Sequence, residues 1–160
     1  MDTHWKNRVK AESEAYPTVM LIDDNREQLC KDAQEMWMRE FNVIAVHVNN
    51  GGRDDRVPRY GIPLHEVKAV RDVLRLVDEK KPDCILSDWN LEWGHGTGDV
   101  LLNELQFEAP KAVLALHSAK FHARERAEAY DCFPKSQGLA AVAEYFNTQL
   151  ARKNPNLPPR

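Results

Sequence analysis

The chain has 160 residues, 42% of them hydrophobic and 29% charged, which is ordinary for a soluble globular protein and enough for one domain with a sizeable core. Lys and Arg number 22 against 25 Asp and Glu, a formal charge of −3, which argues against broad nucleic-acid binding. No apolar run approaches the roughly 18 residues of a membrane span, residues 1–16 lack the apolar stretch of a secretory leader, and Cys30, Cys84 and Cys132 are too scattered for a disulfide framework, so they read as reduced thiols of a cytoplasmic protein.

Residues 1–16 are expected to form an N-terminal extension. The run 18–22 is a short β-favouring strand that stops at Asp23, Asp24 and Asn25. Leu29, Ala33, Met36 and Trp37 then share one helical face. Residues 41–48 read as a second strand, and 49–63, rich in Gly, Pro and charge, as a loop. Val67, Val70, Val73, Leu74 and Val77 recur at helical spacing. After Pro82 a third strand covers 84–87 and ends at Asp88. Residues 93–98 are a Gly-rich loop, and 100–105 belong to a helix closed near Pro110. A fourth strand, 112–116, ends at His117 and Ser118. A short Ala-rich helix is expected over 123–129. A weak fifth strand over 130–133 runs into Pro134 and Lys135. Leu139, Val142, Phe146 and Leu150 mark the last helix. The tail 152–160, with its prolines, is expected to be disordered.

Strand and helix thus alternate five times, which predicts an α/β fold over 17–151, a doubly wound parallel sheet with helices on both faces. Near-continuous apolar strands fit burial on both sides. In open parallel sheets, ligands bind beyond the carboxyl ends of the strands. Those ends carry Asp23 and Asp24, then Asp88, Ser118 and Lys135. Three carboxylates held together repel, and a hard divalent cation relieves the repulsion; Mg²⁺ with carboxylate oxygens and water is the natural choice. A hydroxyl and an ammonium suit phosphoryl oxygens. The set describes metal-assisted phosphoryl transfer with an aspartate nucleophile.

With these residues in this order, the chain resembles a response-regulator receiver domain of two-component signalling, from about 17 to 150. The matching residues are Asp23 and Asp24 after the first strand, Ser87, Asp88, Trp89 and Asn90 after the third, Ser118 and Ala119 after the fourth, and Pro134 and Lys135 after the fifth. The run from Ser87 to Asn90 is especially similar to that of single-domain chemotaxis regulators. The resemblance implies a five-stranded, flavodoxin-like sheet in the order 2-1-3-4-5. It implies that Asp88 is the phosphoacceptor. Asp24, Asp88 and the Asn90 backbone carbonyl would hold Mg²⁺ directly, and Asp23 through water. Ser118 would hydrogen-bond the phosphoryl group, and Lys135 would pair with one of its oxygens. Gly98 would open the third helix. The implied donor is a sensor histidine kinase or a histidine phosphotransfer protein, and the implied output is contact with a downstream protein target. No direct DNA binding and no membrane contact are expected. A homodimer through the face of the fourth and fifth strands and the last helix is compatible with the reading.

The chain departs from the family pattern in four places. The stretch from Asp88 to Gly98 and the loop 49–63 are long. Ser136 stands where a proline usually follows the lysine, and Cys132 stands where many relatives carry an aromatic switch residue. Two alternatives remain at this level. One is a receiver-like interaction module that is not phosphorylated. The other is a small Mg²⁺-dependent aspartate-nucleophile phosphatase, which usually spaces its two aspartates by one residue, whereas Asp23 and Asp24 are adjacent. Each of these aspartates taken alone reads equally well as a helix N-cap or a first-turn charge. His117 and His122 lack zinc-ligand spacing, and His95 in the long loop reads as solvent-exposed. Asp54 and Asp55, flanked by Arg53 and Arg56, read as a solvated loop.

Overall fold

The computed structural model describes residues 15–49, 62–91, 98–119 and 130–153. Six strands build its sheet: β1 (Thr18–Asp23), β2 (Asn42–Val48), β3 (Leu64–Val67), β4 (Cys84–Asp88), β5 (Val113–Ser118) and β6 (Asp131–Pro134). Among the described residues four helices pack on it, α1 (Arg26–Met38), α2 (Val70–Lys80), α3 (Gly98–Glu108) and α4 (Ala140–Lys153), with a 3-10 turn at Lys135–Gln137. The sheet order is β3-β2-β1-β4-β5-β6, and every pair is parallel.

The central strands β1, β4 and β5 are buried along nearly their whole length because both faces are covered. Alternate residues of a strand point to opposite sides. Val19 and Leu21 of β1 therefore join Leu29, Ala33 and Met36 of α1 and Val142 and Phe146 of α4 in one core. Met20 and Ile22 join Val73 and Val77 of α2 and Leu101, Leu102 and Leu105 of α3 in the other. Each such side chain, fully buried, contributes roughly 1.5–3 kcal/mol. No helix among the described residues is long and apolar enough to cross a membrane.

The doubly wound parallel architecture agrees with the sequence expectation, and the order of β2, β1, β4, β5 and β6 is the expected 2-1-3-4-5. The strand count differs. Leu64–Val67 adds a sixth strand outside β2, in register from Ala45 opposite Leu64 to Val48 opposite Val67. Val67 therefore ends a strand instead of opening the helix, and α2 starts at Val70 after Ala69. Four residues of mixed polarity carry little strand signal, and Val67 falls at helical spacing from Val70 by coincidence. A parallel pair needs a connection of about a dozen residues or more, and the segment 49–63 has that length. Phe41, read as strand, instead packs wholly buried in the bend before β2, its N–H donating to the Met36 carbonyl at 3.1 Å. The last helix runs through Lys153, whose ammonium donates to the Lys111 carbonyl at 3.1 Å. The expected helix at 123–129, His95, His122, Asp54 and Asp55 lie outside the described residues.

Candidate functional site

Strand register brings the chemistry together. Ile22 pairs with Ser87, so Asp23 and Asp88 end β1 and β4 side by side. Asp88 pairs with His117 on β5, and Ser118 pairs with Pro134 on β6, which delivers Lys135 to the same edge. The turn after β1 is set by short polar side chains. Asn25 is the N-cap of α1, its side-chain oxygen accepting from the Gln28 N–H at 3.0 Å, and the Asn25 N–H donates to Asp23 Oδ1 at 2.8 Å. The capping role that either aspartate could have filled thus falls to Asn25, and both carboxylates remain at the sheet edge.

Asp23 and Asp88 are buried, and Asp24 is half-buried. One oxygen from each lies within 4.8 Å of the others. Lys135 Nζ donates to Asp23 Oδ2 at 2.8 Å and lies 3.2 Å from Asp88 Oδ1. Lys135 is thus shared between the carboxylates of Asp23 and Asp88. The Asp88 carboxyl is pushed up to about 8, first by burial, then by the charges of Asp23 and Asp24, against the opposing pull of Lys135. Burial alone would lower the Lys135 ammonium, but the two carboxylates outweigh it and hold its pKa above the usual lysine value. A hard divalent cation fits this donor set, which offers only oxygens and has charge to spare. Both Asp23 oxygens already accept hydrogen bonds, which suits contact with a cation through water more than direct ligation.

The backbone beyond Asp88 is tightly held. The Trp89 N–H donates to the His117 carbonyl at 2.9 Å, and the Gly98 N–H donates to the Trp89 carbonyl at 2.7 Å. A Cβ on Gly98 would sit 2.1 Å from the Asp88 carbonyl oxygen, so the start of α3 approaches the end of β4 closer than any side chain permits. Ser118 is buried one residue past the Asp88 level of β5, and Asn90 follows the anchored Trp89. Every predicted site residue is therefore placed at the same sheet edge. No peptide among the described residues is cis, the one after Lys135 included. Cys132 packs on the α2–α3 side of the sheet, while Phe133 meets the tilted ring of Tyr145, with centroids 5.3 Å apart, on the opposite side.

Two polar groups at this edge go beyond the sequence reading, which weighed His117 only as a zinc ligand and did not name His47, Glu66 or Asp32. His47, at the end of β2, has Nδ1 2.6 Å from Glu66 Oε2 and Nε2 3.0 Å from the Asp24 carbonyl oxygen, and Arg26 reaches Glu66 Oε1 at 2.6 Å. This cluster ties the extra strand β3 to the turn that carries Asp24. Asp32 and His117 are buried beneath Asp88, with Asp32 Oδ2 3.7 Å from His117 Nδ1. Burial raises Asp32 to about 6 and lowers His117 to about 4. The signal was present: Asp32 is an acid on the apolar face of α1, and His117 ends an otherwise apolar strand.

No family model matches the chain, and no curated protein matches it. Solved structures do. A signal receiver domain of an HD domain-containing protein from Pseudomonas fluorescens Pf-5 matches at 14% identity over 88% of this chain and 99% of that one, with a TM-score of 0.60. A response regulator from Thermotoga maritima matches at 19% identity over 85% and 98%, with a TM-score of 0.57. The receiver domain of the hybrid histidine kinase CckA matches at 16% identity over 83% and 98%, with a TM-score of 0.55. The chain therefore has the fold of response-regulator receiver domains.

Proposed function

We propose that this protein is a phosphoacceptor receiver in a two-component phosphorelay, with residues 17–151 as the receiver body. The observation that carries the reading is Asp88. It is a buried carboxylate at the end of β4, with Lys135 Nζ at 3.2 Å and two further carboxylates at hand. Asp24, Asp88 and the Asn90 carbonyl would hold Mg²⁺ directly and Asp23 through water. The ion would offset charge on the phosphoryl oxygens.

An Asp88 carboxylate oxygen attacks the phosphorus of a phosphohistidine on a sensor kinase or phosphotransfer protein. The new O–P bond forms as the N–P bond breaks, and the imidazole nitrogen keeps the electron pair. Lys135 holds its ammonium beside the reacting oxygen and stabilises the charge that develops there. The Ser118 hydroxyl donates to a phosphoryl oxygen of the product. Water attack on phosphorus later breaks the O–P bond, returning Asp88 and inorganic phosphate. Output runs through contact of a downstream protein with the face of β5, β6 and α4, without direct DNA binding. The protein acts in the cytoplasm, and a homodimer would use the same face.

Incubation with an acyl phosphate and Mg²⁺, followed by intact mass, tests the reading. A phosphoryl adduct on the wild type, absent from Asp88→Asn and from samples with chelator, supports it. No adduct on the wild type overturns it in favour of an interaction module that is not phosphorylated.

A further inference from the structure

Strand register sets Glu66, His47 and Asp23 in one row across β3, β2 and β1. Side chains alternate along each strand, so this row lies on the α1 side of the sheet, with Ala45 and Leu64. His47 stands in the middle of it, buried, and both of its ring nitrogens are engaged. Nδ1 lies 2.6 Å from Glu66 Oε2, and Nε2 lies 3.0 Å from the Asp24 carbonyl oxygen. A carbonyl only accepts, so Nε2 carries the proton of that bond. The other Glu66 oxygen is held at 2.6 Å by Arg26, the first residue of α1.

The strand that brings Glu66 here does little for the core. Of its four residues only Val67 is buried. Its polar contacts lead instead to the turn between β1 and α1. Within that turn the Asn25 N–H donates to Asp23 Oδ1 at 2.8 Å, and the Asn25 side chain accepts from the Gln28 N–H at 3.0 Å. These bonds hold the residues on either side of Asp24, and the His47 bond holds Asp24 itself. A peptide is planar, so a fixed carbonyl fixes the plane that follows the Asp24 Cα. Its carboxylate then swings only about its own side-chain torsions. Groups one bond beyond a metal's ligands orient those ligands and so govern affinity for the ion.

We propose that His47 positions Asp24 for the divalent ion: β3, acting through Glu66 and His47, braces the Asp24 carbonyl and thereby sets the affinity of the acidic site for Mg²⁺. The bond stands on the geometry, whereas the role rests on the reading of Asp24 as a Mg²⁺ ligand. His47 is a positioning residue, because it acts on the ion only through Asp24. The brace needs an oxygen facing Nδ1 and not the charge of Glu66.

Two measurements test it, and neither reads activity. The first is calorimetric titration of Mg²⁺ into the wild type, His47→Phe and His47→Gln. Phe fills the space of the ring without a donor, while the Gln amide can place an N–H where Nε2 lies. His47→Phe is expected to bind Mg²⁺ about tenfold more weakly, and His47→Gln to bind close to the wild type. A His47→Phe variant that binds as tightly as the wild type overturns the proposal. So does a His47→Gln variant as weak as His47→Phe, since the donor would then not be what counts. The second measurement uses the wild type alone and so decides the matter even where a variant does not fold. Coupling is reciprocal: a bond that favours the ion is favoured by it. Solvent exchange of the His47 Nε2 proton, followed by NMR, is expected to slow when Mg²⁺ is added. Exchange that saturating Mg²⁺ leaves unchanged overturns the positioning role. A wild type that binds no Mg²⁺ at millimolar concentration gives a different failure, which overturns the Mg²⁺ site itself and takes the positioning role with it.

Discussion

Two charged clusters sit a few residues apart at the carboxyl edge of one sheet, and they differ in balance. In the cluster of Arg26, His47 and Glu66, cationic and basic groups surround one carboxylate, and each Glu66 oxygen has its own partner at 2.6 Å. In the cluster of Asp23, Asp24, Asp88 and Lys135, one ammonium is shared by the Asp23 and Asp88 carboxylates, and burial and the neighbouring acids push the Asp88 carboxyl up. The first cluster pairs both oxygens of its carboxylate and holds the fold's added strand. The second is an all-oxygen donor set that a hard divalent cation would fit. A buried carboxylate pushed up by burial and a neighbouring acid marks Asp88 as a candidate functional residue.

The largest effect is expected on removing the single ammonium. Lys135→Ala leaves the acids uncompensated, and breaking a buried pair costs about 3–5 kcal/mol. Chemical denaturation without divalent ions should show that loss, and millimolar Mg²⁺ should recover part of it. An unchanged midpoint would mean the acids do not depend on Lys135.

Asp88→Asn should act in the opposite direction. The folded pKa of Asp88, about 8, lies above its ordinary value of 3.8. The folded state therefore holds the proton more tightly than the unfolded state. That stabilisation is complete below about pH 4 and is lost as pH rises through about 8. The variant stays neutral at every pH, so without divalent ions its advantage should grow from pH 4 to pH 8, reaching about 2 kcal/mol or more. Melts across that range check it, and a constant difference would show that Asp88 is not perturbed.

A smaller stabilisation is expected from Mg²⁺ on the wild type, about 1.4 kcal/mol at tenfold excess over the dissociation constant. The smallest effect belongs to the balanced cluster. Glu66→Gln removes a carboxylate whose side chain is 41% exposed, and screening limits the loss to about 1 kcal/mol or less. That loss should shrink with added salt and should leave the Mg²⁺ response intact. A lost Mg²⁺ response would join the two clusters into one unit.

The acidic cluster was legible in the sequence because its members end strands, and strand ends of a parallel sheet converge whatever the loops do. Asp23, Asp88, Ser118 and Lys135 therefore came together from order alone. Gly98 was legible as the start of a helix, but its contact with the Asp88 carbonyl is a tertiary fact. The balanced cluster was hidden because Glu66 lies on a four-residue strand whose last member, Val67, mimics helical spacing. Asp32 and His117 were visible as polar residues on apolar faces. Their meeting beneath Asp88 depends on how α1 lies across β4 and β5, which no local pattern encodes. Asn25 took the N-cap that Asp23 or Asp24 could have filled, a choice made by the geometry of one turn.

The central claim is that a divalent cation replaces a proton on Asp88. Calorimetric titration with Mg²⁺ at neutral pH, in buffers of different ionisation enthalpy, counts the protons released as the ion binds. Because burial and the neighbouring Asp23 push the Asp88 carboxyl up, the wild type should bind one ion with release of protons, and Asp88→Asn should release fewer. Absence of binding by the wild type, or equal proton release by both proteins, would contradict the account.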